Sequence, residues 1–134
     1  MAYVVRAIIE DRSVKDGFVL IQESKPQCHG KWYLPAGNVQ RGESIDEAVK
    51  RIVHEEAGLV DGHPEQIILI EEIGPFWWRF TFLVTFPDSF NLAKNLKTEK
   101  QKDKFSIKAE IWEWEEIIST DKLRDEETGS HYHS

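Results

Sequence analysis

The chain has 134 residues and a mass of 15.6 kDa, room for one domain, and its 40% hydrophobic and 11% aromatic residues suffice for a packed core. That composition excludes wholesale disorder and a disulfide-stapled mini-protein. With 24 acidic against 17 basic side chains and a formal charge of -7, unassisted binding to a nucleic-acid polymer or an anionic membrane is disfavoured, and phosphate chemistry would need a cation.

The single cysteine, Cys28, cannot form an internal disulfide. No apolar run approaches the ~18 residues of a membrane span, and the first six residues lack the basic-then-apolar order of a secretory signal. The expectation is a cytoplasmic protein without a membrane span.

In chain order, residues 3–9 and 18–22 are rich in β-branched side chains and are separated by the turn-prone Lys15-Asp16-Gly17, which predicts a hairpin. Trp32-Tyr33-Leu34 is a short apolar run, and Pro35-Ala36-Gly37-Asn38 has the composition of a tight loop. Ser44 followed three residues later by Glu47 is a capping box. It predicts a helix over 44–57, stopped by Gly58. Ile45, Ala48, Val49, Ile52 and Val53 form its apolar stripe. Residues 67–73 and 79–86 predict two strands, the second with phenylalanine at alternate positions. Residues 87–104 turn polar and lysine-rich and read as a long mobile loop within the domain. A last strand at 111–114 and a short helix at 117–123 close a single domain over 1–124, and 125–134 reads as a flexible tail.

The helix carries the chemistry. At about 100° per residue Glu56 projects into the apolar stripe and Glu55 falls at its edge. Both stand in the last turn, where the helix dipole disfavours negative charge. A partly buried carboxylate without a partner costs several kcal/mol or shifts its pKa until it is neutral. A divalent cation, Mg²⁺ or Mn²⁺, would relieve these penalties, and Glu43 could add a carboxylate directly or through water. Arg51 lies four residues from both Glu47 and Glu55 and can clamp the helix. The alternative on this pattern alone is an acidic surface helix whose glutamates meet only solvent or lysines.

Gly37, Glu43, Arg51, Val53, Glu55, Glu56, Gly58 and Leu59 match eight of the nine positions of the Nudix box, G-x5-E-x7-R-E-U-x-E-E-x-G-U with U aliphatic. The chain is therefore identified as resembling the Nudix family from Tyr3 to Trp114. Three runs, Leu20-Ile21-Gln22-Glu23, residues 32–37 and residues 74–80, look similar to the animal Nudix enzymes that hydrolyse 8-oxo-guanine nucleoside diphosphates. The resemblance implies an α+β Nudix fold, with a mixed β-sheet sandwiched between helices (α/β/α). It also implies a Mg²⁺-dependent pyrophosphohydrolase acting on a nucleoside diphosphate derivative of the oxidised purine type. On matching positions it makes Glu55, Glu56 and the Gly37 carbonyl metal ligands, with Arg51 and Glu43 supporting the site.

The box departs from the family at Ile52, where a glutamate is usual, and Asp103-Lys104-Phe105-Ser106 stands where the subfamily tends to show Asp-x-Glu-Ser. An alkyl group can neither hold a metal nor take a proton. Asp103, Glu99 and Glu110 are the carboxylates left to substitute, and a non-catalytic Nudix domain that binds a nucleotide or a protein partner stays open beside the enzyme. Trp32, Phe76 and Trp77 are candidates to stack on a nucleobase, with core packing as the alternative for each. His54 points away from the stripe, Cys28-His29-Gly30 lacks zinc spacing, and Lys94, Lys97, Lys100, Lys102 and Lys104 read as a solvated loop.

Overall fold

The computed structural model describes residues 1–125. Two four-stranded sheets carry the fold. The first is mixed, with order β5-β1-β7-β6: β1 (Ala2–Ile8) lies parallel to β7 (Trp77–Thr85) and antiparallel to β5 (Ala36–Asn38), and β6 (His63–Gly74) pairs antiparallel with β7. The second is antiparallel and built on β3 (Gly17–Gln22). One edge of β3 holds β2 (Glu10–Asp11) and β4 (Trp32–Tyr33), and the other holds β8 (Lys108–Glu113).

Helix α1 (Ile45–Ile52) packs on β1, β5 and β6. The stripe read from the sequence is its buried face: Ala48, Val49, Ile52 and Val53 join Val5, Ala7, Phe82 and Val84 in the main core. Ser44 caps it, its Oγ accepting the Glu47 amide at 3.1 Å while the Glu47 carboxylate accepts the Ser44 amide at 3.1 Å. Beyond Ile52 the helix widens. Val53–Ala57 is a π turn, closed by Gly58 at φ 79°, so the regular helix expected over 44–57 changes pitch at the carboxylates. Such turns are rare and concentrate at functional sites.

Four other expectations are corrected. Residues 3–9 and 18–22 do not pair as a hairpin. Only β2 folds back on β3, while Val4, Val5, Arg6 and Ala7 are all buried, as a central strand's residues must be. Residues 36–38 are strand rather than loop, because small side chains let that segment lie between β1 and the helix. A Cβ at Gly37 would stand 2.9 Å from Ile52 Cδ1. Residues 87–104 hold a short helix, α2 (Leu92–Asn95), capped by Asn91, and a 3₁₀ turn (Glu99–Gln101) capped by Thr98; Leu92 and Lys97 are buried. The closing helix, α3 (Trp114–Ser119), starts earlier than expected because Glu113 and Glu116 form a capping box, and Leu123 instead bridges to Trp32.

Edge strand β6 leaves Ile67, Ile68, Leu69 and Ile70 exposed. Among the described residues no helix is long and apolar enough to cross a membrane. The tail expected at 125–134 lies, from residue 126 on, outside the described residues.

Candidate active site

The box residues meet where the π turn, β5 and the segment before β8 converge. A cavity of about 380 Å³ there is lined by Lys25, Gly37, Ile52, Glu55, Glu56 and Phe105, among others. A larger concavity of about 700 Å³ lies between residues 10–13 and 83–92 and touches none of the box.

Glu56 is 5% exposed. Its Oε1 accepts the Ala36 amide at 2.9 Å, and no donor among the described residues reaches Oε2. Burial pushes its carboxyl up to about 8; Lys25 and the Ala36 amide oppose this, and buried Glu23 adds to it. Glu55 is partly exposed, with Oε1 taking Arg51 Nη1 at 2.7 Å and, among the described residues, no donor on Oε2. Glu43 is held by both Arg51 Nε at 2.7 Å and Nη2 at 3.1 Å and by the Gln40 amide at 3.0 Å. The Arg51 hydrogen bonds hold its carboxyl below the usual value. Arg51 also donates to the Asn38 carbonyl at 2.8 Å, tying the helix to β5. The sequence pairing of Arg51 with Glu47 is corrected: Glu47 is spent on the cap, and Glu43 takes its place.

Ile52 lines the same cavity at 3% exposure and rests against Gly37. None of the substitute carboxylates lines it. Asp103 is bound by Lys97, Glu110 pairs with Lys108 at 3.2 Å, and Glu99 lies exposed in the 3₁₀ turn. Among the described residues no three His, Cys, Asp or Glu side chains stand close enough to hold a metal ion by themselves. Two carboxylates with one undonated oxygen each still fit Mg²⁺, which keeps several waters and is usually held by one or two carboxylates plus substrate phosphates.

The aromatic candidates lie elsewhere. Trp32 is buried in β4 against Trp112 at 5.2 Å. Phe76 is 72% exposed at the β6–β7 turn. Trp77 packs with Val4, Tyr33 and Ala36. Beside it the Tyr33 hydroxyl accepts from Arg6 at 2.9 Å, and Arg79 Nε donates to Glu71 at 2.9 Å. The aromatic side chain that does line the cavity is Phe105.

The NUDIX domain family model matches residues 2–132. The chain belongs to the Nudix family. The human 8-oxo-dGDP phosphatase NUDT18 is 45% identical to it over 109 residues, 81% of this chain and 31% of that protein. The Danio rerio 8-oxo-dGDP phosphatase NUDT18 is 40% identical over 113 residues, 84% of this chain and 32% of its own length. This Nudix chain thus spans about a third of the length of these relatives. Among solved structures, the MutT protein from Methanosarcina mazei Go1 superposes with a TM-score of 0.67 at 24% identity, over 92% of this chain and 84% of that one. The Shewanella oneidensis NrtR NUDIX domain, complexed with ADP ribose, gives 0.63 at 20% identity over 90% and 78%. These likenesses bear out the α+β Nudix fold expected from the box.

Three contributors escaped the sequence reading. Glu23 is 1% exposed and paired with Arg124, and Lys97 and Ser106 are buried against the π turn. Each partner lies tens of residues away, so no local spacing announces it.

Proposed function

We propose that this Nudix chain is a Mg²⁺-dependent (or Mn²⁺-dependent) hydrolase of nucleoside diphosphate derivatives, of the oxidised-purine type named for its animal relatives. The single observation that carries the reading is the pair of adjacent carboxylates on a π turn, one buried and one braced by Arg51, each with an oxygen that no donor among the described residues reaches. Glu55 and Glu56, with the Gly37 carbonyl and Glu43 beside them, would hold the cation. When bound it would neutralise diphosphate charge and polarise a water for attack on phosphorus.

The chain's own residues do the rest. Arg51 fixes Glu55 and Glu43 and ties them to β5, and the Ala36 amide fixes one oxygen of Glu56. Lys25 and Lys104 at the cavity supply positive charge beside a phosphate tail. In the hydrolysis, water adds to phosphorus, the bridging P–O bond breaks, and the water proton leaves to a carboxylate or to solvent. Phe105, which lines the cavity, is the proposed nucleobase wall, in place of Trp32, Phe76 and Trp77, which line other parts of the fold. A reducing cytoplasm suits the buried thiol of Cys28.

Ile52 favours a second reading, a domain that binds a nucleotide or a protein partner without turnover, since an alkyl group replaces a family carboxylate in the cavity. A screen of nucleoside di- and triphosphates with Mg²⁺, watched for released phosphate, separates the two. Release that is lost in Glu56→Gln supports the enzyme, and nucleotide binding without release supports the binder.

A further inference from the structure

The last four carbonyls of an α-helix ordinarily have no partner within the helix and turn to water. Here each of the carbonyls of residues 54–57 has a donor. The Gly58 amide reaches the His54 carbonyl at 3.0 Å, Lys97 Nζ the Glu55 carbonyl at 3.0 Å, Ser106 Oγ the Glu56 carbonyl at 2.7 Å, and the Lys97 amide the Ala57 carbonyl at 2.9 Å. Three of the four come from residues 97–106, far along the chain from the helix.

That segment is itself locked. The Lys97 side chain is 5% exposed, and its Nζ also bonds Asp103 Oδ1 at 2.6 Å. The same oxygen accepts the amides of Phe105 at 2.9 Å and Ser106 at 3.3 Å. Ser106 is fully buried, and the Lys97 carbonyl accepts the Ala109 amide at 3.0 Å, joining the segment to β8. The fit is tight enough that a Cβ at Gly58 would stand 2.9 Å from the Lys97 amide nitrogen.

A buried ammonium therefore stands at the negative end of a helix that also carries two carboxylates. The geometry points to Lys97 and Ser106 as positioning residues that hold the Glu55–Glu56 turn through its backbone carbonyls. Their hydrogen bonds go to the backbone carbonyls of Glu55 and Glu56 rather than to the carboxylates. They fix the peptide units from which both project, as the outer shell of a metal site orients its ligands. The role deepens the hydrolase reading and rests on it for its catalytic meaning, while the orienting effect is measurable without metal.

The reporter is the Ala36 amide, whose acceptor is Glu56 Oε1. Wild type, Lys97→Met and the milder Ser106→Ala are compared by amide hydrogen exchange without metal and by calorimetric titration with Mn²⁺ alone. Val84→Ala in β7 serves as a destabilised control, and the Val49 amide in α1 as the gauge of global opening. Both brace variants should exchange the Ala36 amide about tenfold faster relative to Val49 and bind Mn²⁺ about tenfold more weakly, the lower end for loss of a supporting partner. Val84→Ala should lower the melting temperature and move neither readout. Unchanged Ala36 exchange in both brace variants, or an equal change in Val84→Ala, overturns the positioning role. If wild type binds no Mn²⁺, the hydrolase reading fails while the Ala36 amide still decides the brace. If Lys97→Met does not fold, Ser106→Ala carries the test.

Discussion

The box helix and the segment before β8 meet at the carbonyls of Glu55, Glu56 and Ala57, yet they are built on opposite logic. From Ser44 to Gly58 every determinant is local: a capping box, a stripe at helical spacing and a left-handed glycine stop. Residues 97–106 have almost no local apolar signal and are ordered by what they reach, namely the helix end, Asp103 and β8. The element that carries the chemistry is thus specified by its own sequence, and the element that steadies it is specified by the fold.

Gly58 is where the two regions touch, and Gly58→Ala should give the largest stability loss of the series. A left-handed residue with a Cβ costs ~1–2 kcal/mol, and displacing the Lys97 backbone adds an overpacking penalty of about 1 kcal/mol or more. Urea unfolding should show a loss of about 2–4 kcal/mol. A loss below about 1 kcal/mol, less than the left-handed penalty alone, would mean that the segment yields freely and the two regions are not coupled.

Ile52→Glu sharpens the comparison from inside the helix. Without metal it should lose about 1.5–3 kcal/mol of apolar burial. With Mg²⁺ it should gain a larger rise in melting temperature than wild type and hydrolyse 8-oxo-guanine nucleoside diphosphate faster. If wild type already matches the variant in rate, the proton acceptor comes from another group, and Asp103, Glu99 and Glu110 are the next to mutate.

A purely local change, Ser44→Ala, should cost only about 1 kcal/mol. It should leave Mn²⁺ affinity unchanged, because the cap stands at the other end of the helix from the carboxylates. Weaker Mn²⁺ binding in Ser44→Ala would show that the helix transmits strain end to end.

The two regions should also carry opposite pH signatures. Glu56 is raised to about 8 from 4.5 by burial, so between these values the native state holds more protons than the unfolded one, and stability falls as pH rises through that window. Asp103 goes the other way. Burial pushes its carboxyl up, but bonds from Lys97 and from the amides of Phe105 and Ser106 outweigh this and hold it below 3.8. Its contribution is full above that value and is lost on acidification through the lower folded pKa. Thermal melts without metal should therefore decline from about pH 5 to pH 8 in wild type and flatten in Glu56→Gln. A wild-type profile already flat over that range would remove the buried-acid account of Glu56.

The carboxylates, their arginine and the helix were readable because helical spacing converts directly into faces. The strand that holds Gly37 is not. Pro35-Ala36-Gly37-Asn38 has loop chemistry, and only the fit of Gly37 against Ile52 explains why a strand runs there. Lys97 misled in the same way: among five lysines in a polar stretch nothing marks the one that is buried, since its partners, the Glu55 carbonyl and Asp103, are set by tertiary contact. The hairpin expected over residues 3–9 and 18–22 fails because residue 9 is where the chain leaves one sheet for the other: β1 pairs with β5 and β7, and only Glu10–Asp11 turn back on β3.

The central claim is that Glu55 and Glu56 hold a divalent cation together. Calorimetric titration of the metal-free protein with Mn²⁺, wild type against a Glu55→Gln, Glu56→Gln double variant of unchanged fold, tests it most directly. A heat of binding in wild type that vanishes in the double variant is the predicted result. Equal binding by the two proteins would contradict it.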